Sequence, residues 1–275
     1  MRPLDDRVVL VTGASRGLGV DLCRAFAAKK ARLALAARSQ DDLERVRAEL
    51  EPLGSPKAIA VPTDVGDLDS LRALVARVEA ELGPIDVLVN NAGIEEVCEF
   101  EAMEPERIAA LIQVNVTGLI WLTRLVVPSM IERRRGHIVN MASLAGLVAV
   151  PHNSVYSATK HAVVGVSRSL RVELADHGIG VSAVCPGFVD GGMFKEWGRK
   201  PPALAGMVTS HAVARATVGA VLADKSEVVV NPGLGKIADW FQAVSPGFSH
   251  TMMRWTGVVS FLREQARRNA GGDAG

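Results

Sequence analysis

The sequence predicts an α/β protein: a doubly wound parallel sheet with helices on both faces. Three observations predict it. Short β-branched runs alternate with longer segments whose apolar residues recur at helical spacing. The runs are apolar almost throughout, as strands covered on both faces are. The first run also passes straight into a glycine-rich turn, TGASRGLG at 12–19.

RVVLVTG (7–13) reads as the first buried strand, and residues 17–30 follow helical spacing through Leu18, Leu22, Ala25 and Phe26. RLALAARS (32–39) is the second strand, and the helix over 41–54 opens with Asp41 and Asp42 at its positive end. AIAVPTDV (58–65) is the third strand, and Gly83 closes the helix over 68–83. IDVLVNNAG (85–93) is the fourth strand. A long helix near 104–130, a strand over 136–143, a helix from about Val155 and strands over 179–187 and 227–233 complete the alternation. No repeat or linker divides residues 1–233, so they read as one domain.

Residues 234–275 carry no strand signal. Ile237, Trp240, Phe241 and Val244 fall on one helical face. A second apolar stretch holds Met252, Met253, Trp255, Val258, Val259, Phe261 and Leu262, followed by Arg263, Arg267 and Arg268. Three homes suit this helical extension: a lid on the domain, a subunit interface, or a membrane surface touched through 237–268. Burial against protein is the default expectation.

The chain has 275 residues, 48% of them hydrophobic and 22% charged, an ordinary globular balance. Its 31 basic and 30 acidic side chains leave a net charge of +1, which gives nucleic acid no basic stripe to bind. The apolar run near the N-terminus is about seven residues long, too short for a leader or a span, and no membrane-crossing helix is expected elsewhere. Cys23, Cys98 and Cys185 are widely spaced and expected as reduced, buried thiols of a cytoplasmic protein. His152, His161 and His211 have no ligand spacing, and no metal is expected.

In the turn at 12–19, Gly13, Gly17 and Gly19 let the backbone approach a pyrophosphate, with the amides of Ser15, Arg16, Gly17 and Leu18 available to it at a helix N-terminus. An acid at the end of the second strand would hold a ribose 2′-hydroxyl; here Ala37 stands there, followed by Arg38. Arg16 and Arg38 each read singly as a solvated charge, but together on one 2′-phosphate they favour NADP over NAD.

The remaining motifs carry a family resemblance. TGxxxGxG at 12–19, NNAG at 90–93, Asn115 between two valines, Ser143, YxxxK at 156–160 and PG at 186–187 stand in order, and together they resemble a single-domain short-chain dehydrogenase/reductase over residues 5–233. Residues 1–233 are then a dinucleotide-binding catalytic domain. Tyr156 is the chain's only tyrosine, and Lys160 lies one helical turn on. The ammonium is expected to lower the phenol's pKa, and Ser143 to hold the substrate oxygen as charge develops. The resemblance implies that Lys160 also reaches the nicotinamide ribose and that Asn115 kinks its helix and holds a water for proton relay. It implies further that Asp64 and Val65 contact adenine, that Asn91, Ala92 and Gly93 line the ribose side, and that Pro186, Gly187 and Val189 bound the nicotinamide. Asp64 suits a helix N-cap as well. Two positions depart from the family pattern: Gly191 replaces a usual threonine, and Lys30 a usual glycine.

The segment 188–212 is expected to cover the substrate, with Met193, Phe194, Trp197, Leu204 and Met207 as apolar lining and Gly191–Gly192 as hinges. The implied reaction is hydride transfer between NADP(H) and a hydrophobic ketone or secondary alcohol, by a homo-oligomer. A non-catalytic NADP-binding sensor on the same fold is the rival; it would show a broken Ser, Tyr and Lys set, and here the set is whole.

Overall fold

The computed structural model describes residues 4–191, 200–232 and 245–272. Met193, Phe194 and Trp197, and likewise Ile237, Trp240, Phe241 and Val244, lie outside them.

Strands β1 (Val8–Thr12), β2 (Arg32–Ala37) and β3 (Ala58–Pro62) are laid outward in one direction. Strands β4 (Val87–Asn90), β5 (Gly136–Met141) and β6 (Ile179–Pro186) are laid in the other. Two shorter strands, β7 (Phe188–Asp190) and β8 (Met207–Thr209), form a separate parallel pair, and β9 (Glu227–Val230) closes the main sheet on β6. The sheet is Rossmann-like, with seven parallel strands among the described residues in the order β3-β2-β1-β4-β5-β6-β9. Register follows the apolar runs: Val9 lies opposite Val87 and Thr12 opposite Ala36.

Helices α1 (Leu18–Ala27), α2 (Gln40–Leu50), α3 (Leu68–Leu82), α4 (Pro105–Ile112), α5 (Gly118–Glu132), α6 (Ser154–Glu173) and α7 (Ser210–Ala223) connect them. Two more, α8 (Pro246–Trp255) and α9 (Val258–Gly272), follow the sheet. One core places Leu22, Phe26, Leu43 and Val218 of α1, α2 and α7 against one face; the other places Leu71, Val78, Leu122 and Val126 of α3 and α5 against the opposite face. Each buried leucine or phenylalanine contributes about 2 kcal/mol over its exposed state, which is what orients these helices.

Local chemistry sets several boundaries. Ser39 caps α2 by accepting from the Asp42 amide at 3.4 Å. Asp67 caps α3, accepting from Asp69 at 2.9 Å and Ser70 at 3.4 Å. The cap is therefore not Asp64, whose carboxylate accepts from Gly66 instead, at 2.8 Å. Lys30 takes a left-handed φ of 59°, the conformation for which a glycine would be the easy choice. The helix expected near 104–130 is interrupted by one π turn at Gln113–Thr117. The stretch Pro105–Glu132 is long enough to cross a membrane, and an 18-residue window within it has a mean hydropathy of 1.6. Here Leu119, Leu122, Val126 and Met130 are spent on the core. Cys23 and Cys185 are buried, as expected, whereas Cys98 is partly exposed.

Candidate active site

A cavity of about 780 Å³ opens at the C-terminal ends of the strands, spanning the switch between β1 and β4 where the order reverses. Its floor on the β1 side is the glycine loop. Gly13 and Gly17 have φ of 65° and 55°, and a Cβ on Gly19 would stand 2.0 Å from the Gly13 carbonyl oxygen. Only glycines let α1 start this close to the loop, and Gly13, Ser15, Arg16, Gly17, Leu18 and Gly19 all line the cavity. Thr12 fastens β1 to β4: its hydroxyl accepts from the amides of Asn91 at 2.9 Å and Ala92 at 3.0 Å. The Asn91 amide group donates in turn to the Thr12 carbonyl at 2.9 Å.

Arg38 lines the cavity beside Ala37, and Arg16 is exposed on the same wall. Asp42 has its carboxyl held below the usual range, first by its hydrogen bond with Ser39, then by Arg45, and to a lesser extent by the charge of Arg16. Arg16 thus reaches the start of α2, where Arg38 also stands. Asp64 and Val65 complete this end of the wall, and Asn91, Ala92 and Gly93 continue it.

At the other end the cavity meets α6. Tyr156 and Lys160 lie on its buried side, 8% and 6% exposed, with the lysine Nζ 5.5 Å from the tyrosine ring centre. Lys160 donates to the Met141 carbonyl at 2.8 Å. Ser143 follows β5, accepts from the Ala145 amide at 3.1 Å and hydrogen-bonds the phenol. The sequence argument lowered the phenol's pKa through the lysine, but the structure reverses the direction. The Tyr156 pKa is raised, by burial above all and then by the negative charge of Glu95; the bond with Ser143 opposes this only in part. Burial brings Lys160 down to about 8, against the opposing pull of Glu95 and Cys185.

Asn115 is not on the cavity wall. It sits in the π turn, 2% exposed, and clamps the main chain of Ile94 by accepting from its amide and donating to its carbonyl, both at 2.8 Å. It also donates to Thr159 at 3.1 Å, which ties this clamp to α6. A π turn inside an α-helix marks functional segments often enough to fit this position.

Pro186, Gly187 and Val189 line the far side. Residues 188–190 and 207–209 are more than the loop expected: Val189 pairs with Val208 in the β7–β8 ladder, and Phe188 and Val189 line the cavity. Gly191 has a φ of 122°, so the residue standing where the family has threonine adopts a backbone that disfavours any side chain. Leu204 lines the cavity and Met207 does not. From the C-terminal helices come Met253, Thr256, Val258 and Leu262, while Phe261 packs edge-on against Phe188 at 6.0 Å. Trp255 is 75% exposed and takes no part. His152 pairs with Glu99 at 3.0 Å, and no metal-binding cluster occurs among the described residues.

Sequence reasoning missed Glu95 and Asn153, both on the cavity wall, and the buried pair Asn90 and Asn140 beneath it. The signal was there for one of them: Glu95 is an acid two residues past the NNAG motif, where β4 ends at the cavity.

Comparison with known proteins agrees with this geometry. Residues 7–202 match the family model for short chain dehydrogenases. The ketoacyl reductase HetN of Nostoc sp. is 41% identical over 272 residues, covering 97% of this chain and 94% of that one. A dehydrogenase/reductase SDR family protein 7-like of Anopheles gambiae is 34% identical over 265 residues, covering 92% and 84%. A crystal structure of an actinorhodin polyketide ketoreductase variant with NADPH superimposes with a TM-score of 0.77 at 32% identity, covering 86% of this chain and 99% of that one. Fold and site thus define a nicotinamide-dependent oxidoreductase. Within that class, the chain belongs to the short-chain dehydrogenase/reductase family.

Proposed function

We propose that this chain transfers hydride between NADP(H) and a hydrophobic ketone or secondary alcohol, with Tyr156 as the proton donor or acceptor. One observation carries the reading: a single cavity has the glycine loop and two arginines at one end and Ser143, Tyr156 and Lys160 at the other. The residues present suit the dinucleotide. The cradle is too tight for a side chain at Gly13 or Gly19, and Ala37 leaves the end of β2, just before Arg38, without an acid. When bound, the cofactor supplies or accepts the hydride.

The chain's own residues do the rest. Ser143 holds the carbonyl oxygen by a hydrogen bond, and Tyr156 gives its proton to that oxygen as negative charge develops on it. A raised pKa keeps the phenol protonated at neutral pH, the state that carbonyl reduction requires. Val148, Val150, Leu204, Met253, Val258 and Leu262 give the substrate end an apolar wall, which supports a hydrophobic substrate. The names of two relatives, a ketoacyl reductase and a polyketide ketoreductase, support the reductive direction. We assign α8 and α9 to the substrate wall, as a lid rather than a membrane contact, because Leu262 and Ala266 are buried against the domain.

The test is consumption of NADPH, and separately of NADH, with ketones of increasing apolar size. The expected result is NADPH-dependent turnover that improves with apolar size. Binding of NADPH without turnover of any of them would favour the sensor reading.

A further inference from the structure

The substrate end of the cavity holds one acidic group that the proposed reaction leaves without a task. Glu95 lines the wall within electrostatic reach of both Tyr156 and Lys160. A carboxylate here is costly twice over. It loses water, and its charge makes the neighbouring phenol harder to ionise.

The structure nevertheless fixes the carboxylate in place. The Asn153 amide donates to Glu95 Oε1 at 2.5 Å. Asn153 is 3% exposed, and its own Oδ1 is a buried acceptor with no partner among the described residues. An amide packed with half of its hydrogen-bonding capacity unmet is placed for the bond that it does make. On the other side, Asn115 clamps both main-chain groups of Ile94, the residue before Glu95. Two buried asparagines from different elements thus set the position of one carboxylate. Glu95 itself lines the cavity, whose wall also holds the apolar side chains of Val148, Val150, Leu204 and Leu262.

Building on the carbonyl-reductase reading above, we propose that Glu95 is a specificity residue that accepts a hydrogen bond from a hydroxyl on the substrate, with Asn153 as its positioning residue. The preferred substrates are then apolar ketones that carry a hydroxyl, or the corresponding diols in the oxidative direction. A hydroxyl is favoured over an ammonium because Lys160, within electrostatic reach of the same carboxylate, already supplies a cation to this end of the cavity. A buried acceptor also discriminates against the substrate that lacks the donor, since that substrate strips the carboxylate of water and returns nothing.

The experiment measures kcat/KM with NADPH for an apolar ketone, for the same ketone with a hydroxyl at successive carbons, and for its amino analogues. For each protein the quantity read is the ratio of hydroxylated to plain ketone. That ratio cancels any effect of the Glu95 charge on Tyr156, because both substrates use the same proton donor. Wild-type protein should favour at least one hydroxyketone by about tenfold or more, mainly through KM. Glu95→Leu should bring the ratio close to one, and Asn153→Ser should lower it partway. NADPH fluorescence and thermal melts establish that each variant is folded; should Glu95→Leu not fold, Glu95→Gln and the wild-type ratios decide. A wild-type ratio near one at every position, or a ratio that survives loss of the carboxylate, overturns the hydroxyl site while leaving the reductase reading standing. Preference for an amino ketone over every hydroxyketone overturns it as well. No turnover of any ketone by wild-type protein overturns the reductase reading, and the hydroxyl site with it.

Discussion

Tyr156 is where the site's electrostatics are most exposed to test. Tyr156→Phe deletes one hydroxyl and leaves the ring that shapes the wall. Turnover should fall by about 10²- to 10⁴-fold, the range for loss of a positioned proton donor, with NADPH affinity changed only a few-fold. Stopped-flow kinetics alongside cofactor fluorescence separates the two; activity retained within a few-fold would remove Tyr156 from the chemistry. Lys160 sets the pH response. Burial lowers it to about 8, so its ammonium is present below that pH and lost above it. If the cation is the needed form, kcat/KM for reduction is level towards neutral pH and declines as pH rises through about 8, with the decline absent in Lys160→Met. At the opposite end of the cavity, Ala37→Asp combined with Arg38→Leu puts an acceptor where the 2′-phosphate would lie. Preference should swing from NADPH towards NADH by about 100-fold in Kd ratio, read by titrating each cofactor. Equal binding of both cofactors by wild-type protein would contradict the two-arginine argument.

Single elements show what was legible in the sequence and why. The strands could be read because most are nearly continuous apolar runs, and α1 because Leu22 and Phe26 recur at helical spacing. The glycine loop, Ser143, Tyr156 and Lys160 could be read because each belongs to a short motif whose spacing the chemistry dictates. What escaped was held by long-range geometry. Asp86 drew no notice in the sequence, yet it is 7% exposed and accepts from Arg133 at 3.0 Å and from Arg135 at 2.9 Å. It also accepts from the Val8 amide at 3.2 Å, joining β4 to β1 below the sheet. Asp86→Ala should therefore cost about 2–3 kcal/mol, seen as a Tm lower by roughly 5–10 °C.

His137 in β5 was equally silent in the sequence. It is 6% exposed, and one ring nitrogen lies 2.8 Å from the Ser182 hydroxyl. Burial takes its pKa down to about 4 from the usual 6.5 or so. The unfolded chain then binds one more proton than the folded one between those values, so stability rises with pH across that window. Acidification from about 6.5 towards 4 should remove on the order of 3 kcal/mol through this residue. Denaturant melts at both pH values should show that part of the acid loss missing in His137→Gln. The pKa of Tyr156 itself ran opposite to expectation for a related reason: spacing along a helix reveals the neighbour at 160, while depth of burial and the acid at 95 come from the fold.

For the whole molecule, the consequential feature is the return of the C-terminal helices to a cavity begun at residue 13. Val97, Phe261, Leu262 and Ala266 form a small core of their own, and Asn269 donates to the Val97 carbonyl at 2.7 Å. Arg263, Arg267 and Arg268 point away from it to solvent. Phe261→Ala removes the edge contact with Phe188 and should cost about 3 kcal/mol of docking. If α9 is the lid, KM for an apolar ketone rises while cofactor affinity stays near wild type; a membrane role instead predicts weaker co-sedimentation with liposomes and unchanged KM.

The same return has a consequence for biosynthesis. A chain folding as it leaves the ribosome can order β1, β2 and the glycine cradle early, but Leu262 is translated after every other residue of the cavity wall. The residues assigned to the dinucleotide are complete at Val189 and the substrate wall only at Leu262, so a chain truncated between the two should carry every cofactor residue and no lid.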